Sequence, residues 1–268
     1  MAEASPSAES TSSSDACPRC GGSGWIILER EGISGAERCE CADIGLSDRV
    51  ERAAGIPSKF EHVSLANFVV PDNNPIARDT LGQVSLLLKA YVREYPFCKP
   101  QGLLFVGDTG CGKTHLAVSV LRALIANGHQ GLFFDYQTLL NRIRSSYNAD
   151  SGTGDREAYR ASMDADILVL DDLGDHRVKD WVEDIISSIV NHRYNNNKTL
   201  IATTNLQLQK PESSRRKNSE TSTVDYKRTL GEVIGVRAQS RLYEMCRIVD
   251  LSGIGDYREL NQKTTKRS

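Results

Sequence analysis

The octapeptide Gly107-Asp108-Thr109-Gly110-Cys111-Gly112-Lys113-Thr114 follows the apolar run Leu103-Leu104-Phe105-Val106 and precedes His115-Leu116-Ala117. A glycine-rich turn ending in Lys-Thr, set between a strand and a helix, leaves few folds open. Glycines let the backbone curl until its N–H groups converge, and the helix behind them adds the positive end of its dipole. Such a nest takes phosphate. The spacing G-x-x-x-x-G-K-T makes Gly107, Asp108, Thr109, Gly110, Cys111, Gly112 and His115 the candidate nucleotide contacts. Lys113 would neutralise phosphate charge, and the Thr114 hydroxyl would ligate Mg²⁺.

From Gly102 onward short apolar runs alternate with amphipathic stretches, the pattern of an α/β protein with a mainly parallel sheet. Strands are expected at 103–106, 132–136, 167–171, 199–204 and 247–251. Leu116, Ala117, Val120, Leu121, Leu124 and Ile125 recur at helical spacing, with Gly128 placed to stop the helix. Trp181, Val182, Ile185, Ile186, Ile189 and Val190 form a second stripe, opened by Asp180 and Glu183 at capping-box spacing. The polar segments 145–158 and 209–228 are expected to be surface loops.

A phosphate site that also hydrolyses needs a carboxylate for Mg²⁺ and a group that positions water. Ile167-Leu168-Val169-Leu170 ends in Asp171-Asp172; Asp171 is the candidate for the metal shell and Asp172 for the water. The alternative is that two acids simply close a buried strand. Thr203-Thr204-Asn205 ends the next strand, and Asn205 is either a sensor of the γ-phosphate or part of a polar turn. Arg237 and Arg241, four residues apart, share one helix face. Two guanidinium groups there suit a phosphate, in the same chain or a neighbouring one, or else form a solvated basic face.

Taken together, GDTGCGKTHLA at 107–117, LVLDDLG at 168–174, TTN at 203–205 and GVRAQSRLYEMCRIVDLSG ahead of Asp256-Tyr257-Arg258 resemble the AAA+ ATPases, specifically the DnaC, DnaI and IstB-like group of helicase loaders and transposition helpers. The resemblance covers residues 59–258. It implies a P-loop core with a parallel five-stranded sheet and no helical lid, Arg258 being a poor substitute for a lid's sensor arginine. It also implies an ATPase, with Lys113, Asp171, Asp172, Asn205 and a trans-acting Arg241 as its catalytic set and Arg237 as a further nucleotide contact. Expected partners are ATP with Mg²⁺, single-stranded DNA and the replicative helicase, with copies of the chain assembling when ATP and helicase are bound.

Cysteine placement adds a second unit. Cys17 and Cys20 stand in a CxxC turn followed by glycines, and Cys39 and Cys41 form a CxC pair, so that four thiolates are offered to one structural Zn²⁺. Unligated thiols or a redox pair are the alternatives. A module of about 26 residues cannot bury enough core to fold without a staple. In DnaI-type loaders an N-terminal zinc domain holds the helicase, and that resemblance supplies a purpose. Trp25, Ile26 and Ile27 are either its contact surface or its own core.

The expected organisation is a Ser-rich disordered tail over 1–16, the zinc module at 17–42, a linker at 43–58, the ATPase domain at 59–260 and a tail at 261–268. The 33 Lys and Arg balance 35 Asp and Glu, so no global positive field argues for nucleic acid. DNA contact is therefore assigned by resemblance and by local residues such as Arg142, Arg144 and Arg177. No apolar run approaches the roughly 18 residues of a membrane span, and the N-terminus resembles no signal peptide, so a cytoplasmic protein without a membrane partner is expected. Competing readings are an IstB-like helper acting on duplex DNA, a non-hydrolytic ATP-switched adaptor and, least favoured, a small-molecule P-loop kinase.

Overall fold

Alternation of exposed and half-buried apolar side chains marks the first described element of the chain. In this computed structural model, which describes residues 19–20, 25–30, 33–39, 50–51, 53–68, 74–145, 154–174, 180–208 and 228–257, two compact units separate at Val50 and Glu51. In the first, β1 (Trp25–Arg30) pairs antiparallel with β2 (Ile33–Arg38), Trp25 opposite Arg38 and Arg30 opposite Ile33. The two-residue period of a strand turns Trp25 and Ile27 outward, 54% and 76% exposed, with Ile26 and Leu28 half-buried. Cys39, just after β2, is buried and Cys20 half-buried; Cys17 and Cys41 lie outside the described residues. Among the described residues no group of three or more metal-ligating side chains gathers.

The second unit is an open parallel sheet. β3 (Gly102–Val106), β4 (Gly131–Asp135), β5 (Ile167–Asp171), β6 (Thr199–Thr204) and β7 (Cys246–Asp250) lie in the order β4-β5-β6-β3-β7. Every residue of β3, β5 and β6 is buried, as expected of strands covered on both faces, whereas the edges β4 and β7 are only partly so. All five expected strands are present, with β3, β4 and β7 each beginning one residue earlier than expected. Tyr136 accordingly opens a helix instead of ending a strand.

Seven helices are described: α1 (Pro75–Glu94), α2 (Lys113–Ala126), α3 (Tyr136–Ser145), α4 (Gly154–Asp164), α5 (Asp180–Asn195), α6 (Leu230–Ile234) and α7 (Val236–Met245). α1 was not expected. It carries its own signals: Asn74 caps it by accepting from the Ala77 nitrogen at 3.1 Å, Pro75 stands at its first position, and Ala77, Leu81, Val84, Leu88 and Tyr91 form one buried stripe. The loop expected over 145–158 is corrected, because α4 begins at Gly154 and buries Ala158 and Ser162. A capping box formed by Thr229 and Glu232 opens α6. Glu183 reaches the start of α7, where a Cβ on Gly235 would come within 2.5 Å of its carboxylate. Of the second expected loop, 209–227 lie outside the described residues.

The stretch expected as a linker belongs from Glu51 onward to this unit. Glu51 pairs with Arg122 at 3.0 Å, and the Ala54 carbonyl accepts from the Phe133 nitrogen at 2.7 Å. Arg193 of α5 is fully buried and donates to five backbone carbonyls, those of Ser162, Met163, Ala165, Asp166 and Thr199. It thereby joins the carboxyl end of α4 to the start of β6, and a cation there also suits the helix dipole. Burial pulls its guanidinium down to about 10. Among the described residues no helix is long and apolar enough to cross a membrane.

Candidate functional site

β3 delivers the chain at Val106 into the glycine loop, and α2 takes it up at Lys113. Gly110 and Gly112 adopt φ of +81° and +96°, backbone that side chains rarely tolerate. Lys113 is 5% exposed and folds back over the loop, donating to the Gly107 carbonyl at 3.0 Å and the Asp108 carbonyl at 2.7 Å, with Cys111 Sγ at 3.8 Å. Two later hydrogen bonds hold the loop from outside: Leu251 nitrogen to Val106 carbonyl at 2.7 Å and Tyr257 nitrogen to Gly110 carbonyl at 3.1 Å.

Strand order decides what faces the loop. β6 lies between β3 and β5, so the carboxyl ends of three neighbouring strands converge beside it. Thr203 of β6 donates to Asp171 Oδ1 at 2.7 Å and accepts from the Asp172 nitrogen at 2.9 Å. Burial pushes the Asp171 carboxyl up; hydrogen bonds from Thr203 and Thr114 oppose that, and the Asp172 charge adds to it. Thr114 and Asp171 are thus in direct hydrogen-bond contact, a hydroxyl and a carboxylate of the kind that could hold Mg²⁺. Asp172 has φ +55°, and Asn205 Nδ2 stands 3.5 Å from its Oδ1.

A cleft of about 550 Å³ opens over these groups. Thr109 to His115, Asp171, Asp172 and Asn205 all line it. Its other wall comes from residues that the sequence reading passed over: Lys59, Phe60, Phe68, Leu81, Ile254 and Tyr257. Phe68 packs edge-on against His115, ring centres 5.1 Å apart, and over Gly112, where a Cβ would meet its ring at 2.9 Å. Burial holds the His115 imidazole below its ordinary value. The only advance signal for this wall was its aromatic content, because its two segments flank the sheet in sequence.

Gly107 and Asp108 line a separate cavity instead, and Arg237 and Arg241 line neither. Arg241 lies over the Tyr194 ring, 5.6 Å from its centre, and Arg237 is exposed. Arg142 and Arg144 are exposed on α3, while Arg177 and Arg258 lie outside the described residues.

Comparison with known proteins decides the family. Residues 92–224 match the family described as IstB-like ATP binding protein. The crystal structure of the DnaC helicase loader superposes with a TM-score of 0.57 at 30% identity, covering 72% of this chain and 99% of that one. The chain belongs to the DnaC, DnaI and IstB-like AAA+ ATPases. Within this family, the Escherichia coli K12 replicative helicase loader DnaC is 26% identical over 147 residues, 54% of this chain and 56% of DnaC. YqaM of Bacillus subtilis strain 168 is 25% identical over 241 residues, 85% of this chain and 66% of YqaM. The chain thus spans somewhat over half of that DnaC and just under two thirds of YqaM. Membership makes this an ATP-binding P-loop protein, and its parallel five-stranded sheet is that of the family.

Proposed function

We propose that this chain is an ATP-dependent loader that brings the replicative DNA helicase onto single-stranded DNA. The observation that carries this reading is the 30% identity to the crystallised DnaC helicase loader over 99% of that chain. In this reading the aromatic wall at Phe60, Phe68 and Tyr257 takes the base of ATP. Lys113 exchanges the Gly107 and Asp108 carbonyls for phosphate oxygens. Thr114 and Asp171 hold Mg²⁺, which when bound neutralises charge on the phosphates. Asp172 orients the attacking water and draws its proton, with Asn205 beside it. Arg241, outside its own cleft, serves the γ-phosphate of a neighbouring copy.

In the first unit Cys17, Cys20, Cys39 and Cys41 hold a structural Zn²⁺. The burial of Cys39 and half-burial of Cys20 suit thiolates turned inward on a metal. Trp25 and Ile27, exposed on the hairpin, form the surface offered to the helicase.

The test is the mass of complexes formed with the replicative helicase of the same organism, with and without a non-hydrolysable ATP analogue, for the native chain and for Cys17→Ser/Cys20→Ser. A complex that requires the cysteines is the expected result. A helicase that stays alone in every nucleotide state, beside continued ATP hydrolysis, overturns the loader reading. It would favour the second reading that the IstB-like match supports, a transposition helper, and duplex DNA binding would then be measured.

A further inference from the structure

Phe97 is 90% exposed, more than any other large apolar side chain among the described residues. It stands in the turn between α1 and β3, and hydrogen bonds brace that turn from several sides. The Phe97 nitrogen donates to the Glu94 carbonyl at 2.9 Å, Gln101 Nε2 donates to the Pro96 carbonyl at 2.6 Å, and the Tyr91 hydroxyl donates to the Gln101 carbonyl. The Tyr95 hydroxyl lies 3.0 Å from Thr199 Oγ1. Cys98 points inward and is buried, which leaves Phe97 and Lys99 on either side of it turned outward. A lone exposed ring is ordinary, but this one stands among cations.

α1 buries Leu81, Val84, Leu88 and Tyr91, so its opposite face carries Leu86, Lys89 and Arg93, all exposed and spaced three and four apart. β7 brings a further cation. Arg247 pairs with Leu103 at the end of the sheet where the turn enters β3. Its neighbour Cys246 packs with α5, α6 and α7, so strand alternation turns Arg247 to the face that α1 covers. Burial pushes both the Tyr91 hydroxyl and the Cys98 thiol up, and the Arg247 charge opposes this in each, which sets its guanidinium beside the turn. The ion pairs among the described residues take up none of Lys89, Lys99 and Arg247. Arg93 meets Glu94 at 3.2 Å, with both side chains more than half exposed, so water screens that pair.

We propose that this surface binds single-stranded DNA, stacking a base on Phe97 and placing phosphates against Lys89, Arg93, Lys99 and Arg247. The inference rests on the reading of the chain as acting on single-stranded DNA, and gives that reading a surface. An aromatic ring flanked by cations is the pairing that holds a single strand without regard to sequence, since every base has a face to stack. A duplex offers the same phosphates and keeps its bases stacked inside, so the ring selects the single strand. Lys89 and Arg93 stand about 6 Å apart along the helix axis, within reach of one strand's backbone. The surface lies at the amino ends of β3 and β7, and the phosphate loop follows the carboxyl end of β3. DNA and ATP therefore do not compete for it.

Fluorescence anisotropy of labelled oligo(dT) of about 20 nucleotides, longer than a single site needs, tests it with the full chain over a range of salt, with and without a non-hydrolysable ATP analogue. Phe97→Ala is expected to weaken binding at least about fivefold, the low end for losing one stacked base, and to leave the salt dependence unchanged. Phe97→Trp should keep the affinity and show emission quenched by oligo(dT), with the native chain and its Trp25 and Trp181 as the blank. Lys99→Ala with Arg247→Ala should flatten the slope of log affinity against log salt by about 1.4, at about 0.7 for each phosphate released. Unchanged affinity for the ATP analogue in every variant shows that the fold is intact. If the native chain binds oligo(dT) and these variants match it, or if Arg142→Ala with Arg144→Ala carries the loss instead, the surface is overturned while the single-stranded DNA reading stands. No binding by the native chain in any nucleotide state overturns both. Loss of the helicase complex in Phe97→Ala with oligo(dT) affinity intact makes this a protein contact and overturns the proposal as well.

Discussion

The Thr203 hydroxyl bridges the two acids of the site, donating to Asp171 Oδ1 at 2.7 Å and accepting from the Asp172 nitrogen at 2.9 Å. One oxygen of β6 therefore fixes the end of β5. Thr203→Val keeps the shape and removes both bonds, leaving a buried N–H without its acceptor, so a loss of about 1–3 kcal/mol in chemical denaturation is expected. Turnover should fall further than ATP affinity, and Thr203→Ser should restore both.

Asp171 is expected to trade stability for catalysis. Burial raises its carboxyl above the ordinary value of 3.8. The folded state therefore gains from the protonated form. That gain is complete below 3.8 and is lost as pH rises through the folded value. Without Mg²⁺, Asp171→Asn should melt above the native chain at pH 7, and this advantage should vanish below pH 3.8. Turnover should be lost, and Mg²⁺ with ATP should raise the melting temperature of the native chain more than that of the variant. Thermal scans at the two pH values, with and without Mg-ATP, measure all of this.

Arg193 should tolerate no replacement. Its donors serve five carbonyls from two stretches of the chain, Ser162 to Asp166 and Thr199. Arg193→Ala should cost at least about 3 kcal/mol, since five carbonyls lose their donor together and leaving even one buried polar group unpaired costs about 1–3 kcal/mol. Arg193→Lys should recover only part, since an ammonium has three donors at one point and not a planar fork. Urea denaturation of both variants gives the comparison.

Gly110→Ala is expected to disable nucleotide binding. The added Cβ would lie 2.1–2.4 Å from the Asp256 carboxylate atoms, on a residue with φ +81°. Asp256→Ala in addition relieves the clash and not the backbone strain of about 1–2 kcal/mol, so affinity for a fluorescent ATP analogue should recover in part.

What could be read beforehand was whatever is local. The sheet strands are apolar runs that must be covered on both faces, and the phosphate loop is a contiguous pattern, so β3, α2, Asp171 and Asn205 fall where spacing alone places them. α1 was equally legible from Asn74, Pro75 and its buried stripe. Arg193 was not, because its partners on α4 and beyond lie 27–31 residues away and only packing brings their carbonyls together. The cleft wall was hidden for a similar reason: Phe68 and Tyr257 come from opposite ends of the unit and meet only once the sheet has formed.

The two bonds from Leu251 and Tyr257 to the phosphate loop have a consequence for synthesis. Translation yields Gly107 to Thr114 first, and the residues that hold this loop from outside follow only after β7. At ~5–20 residues per second the gap is on the order of ten seconds. A growing chain therefore carries an unfinished nucleotide site until its last strand arrives, and the capacity to capture ATP doubles as a report that synthesis has passed Tyr257.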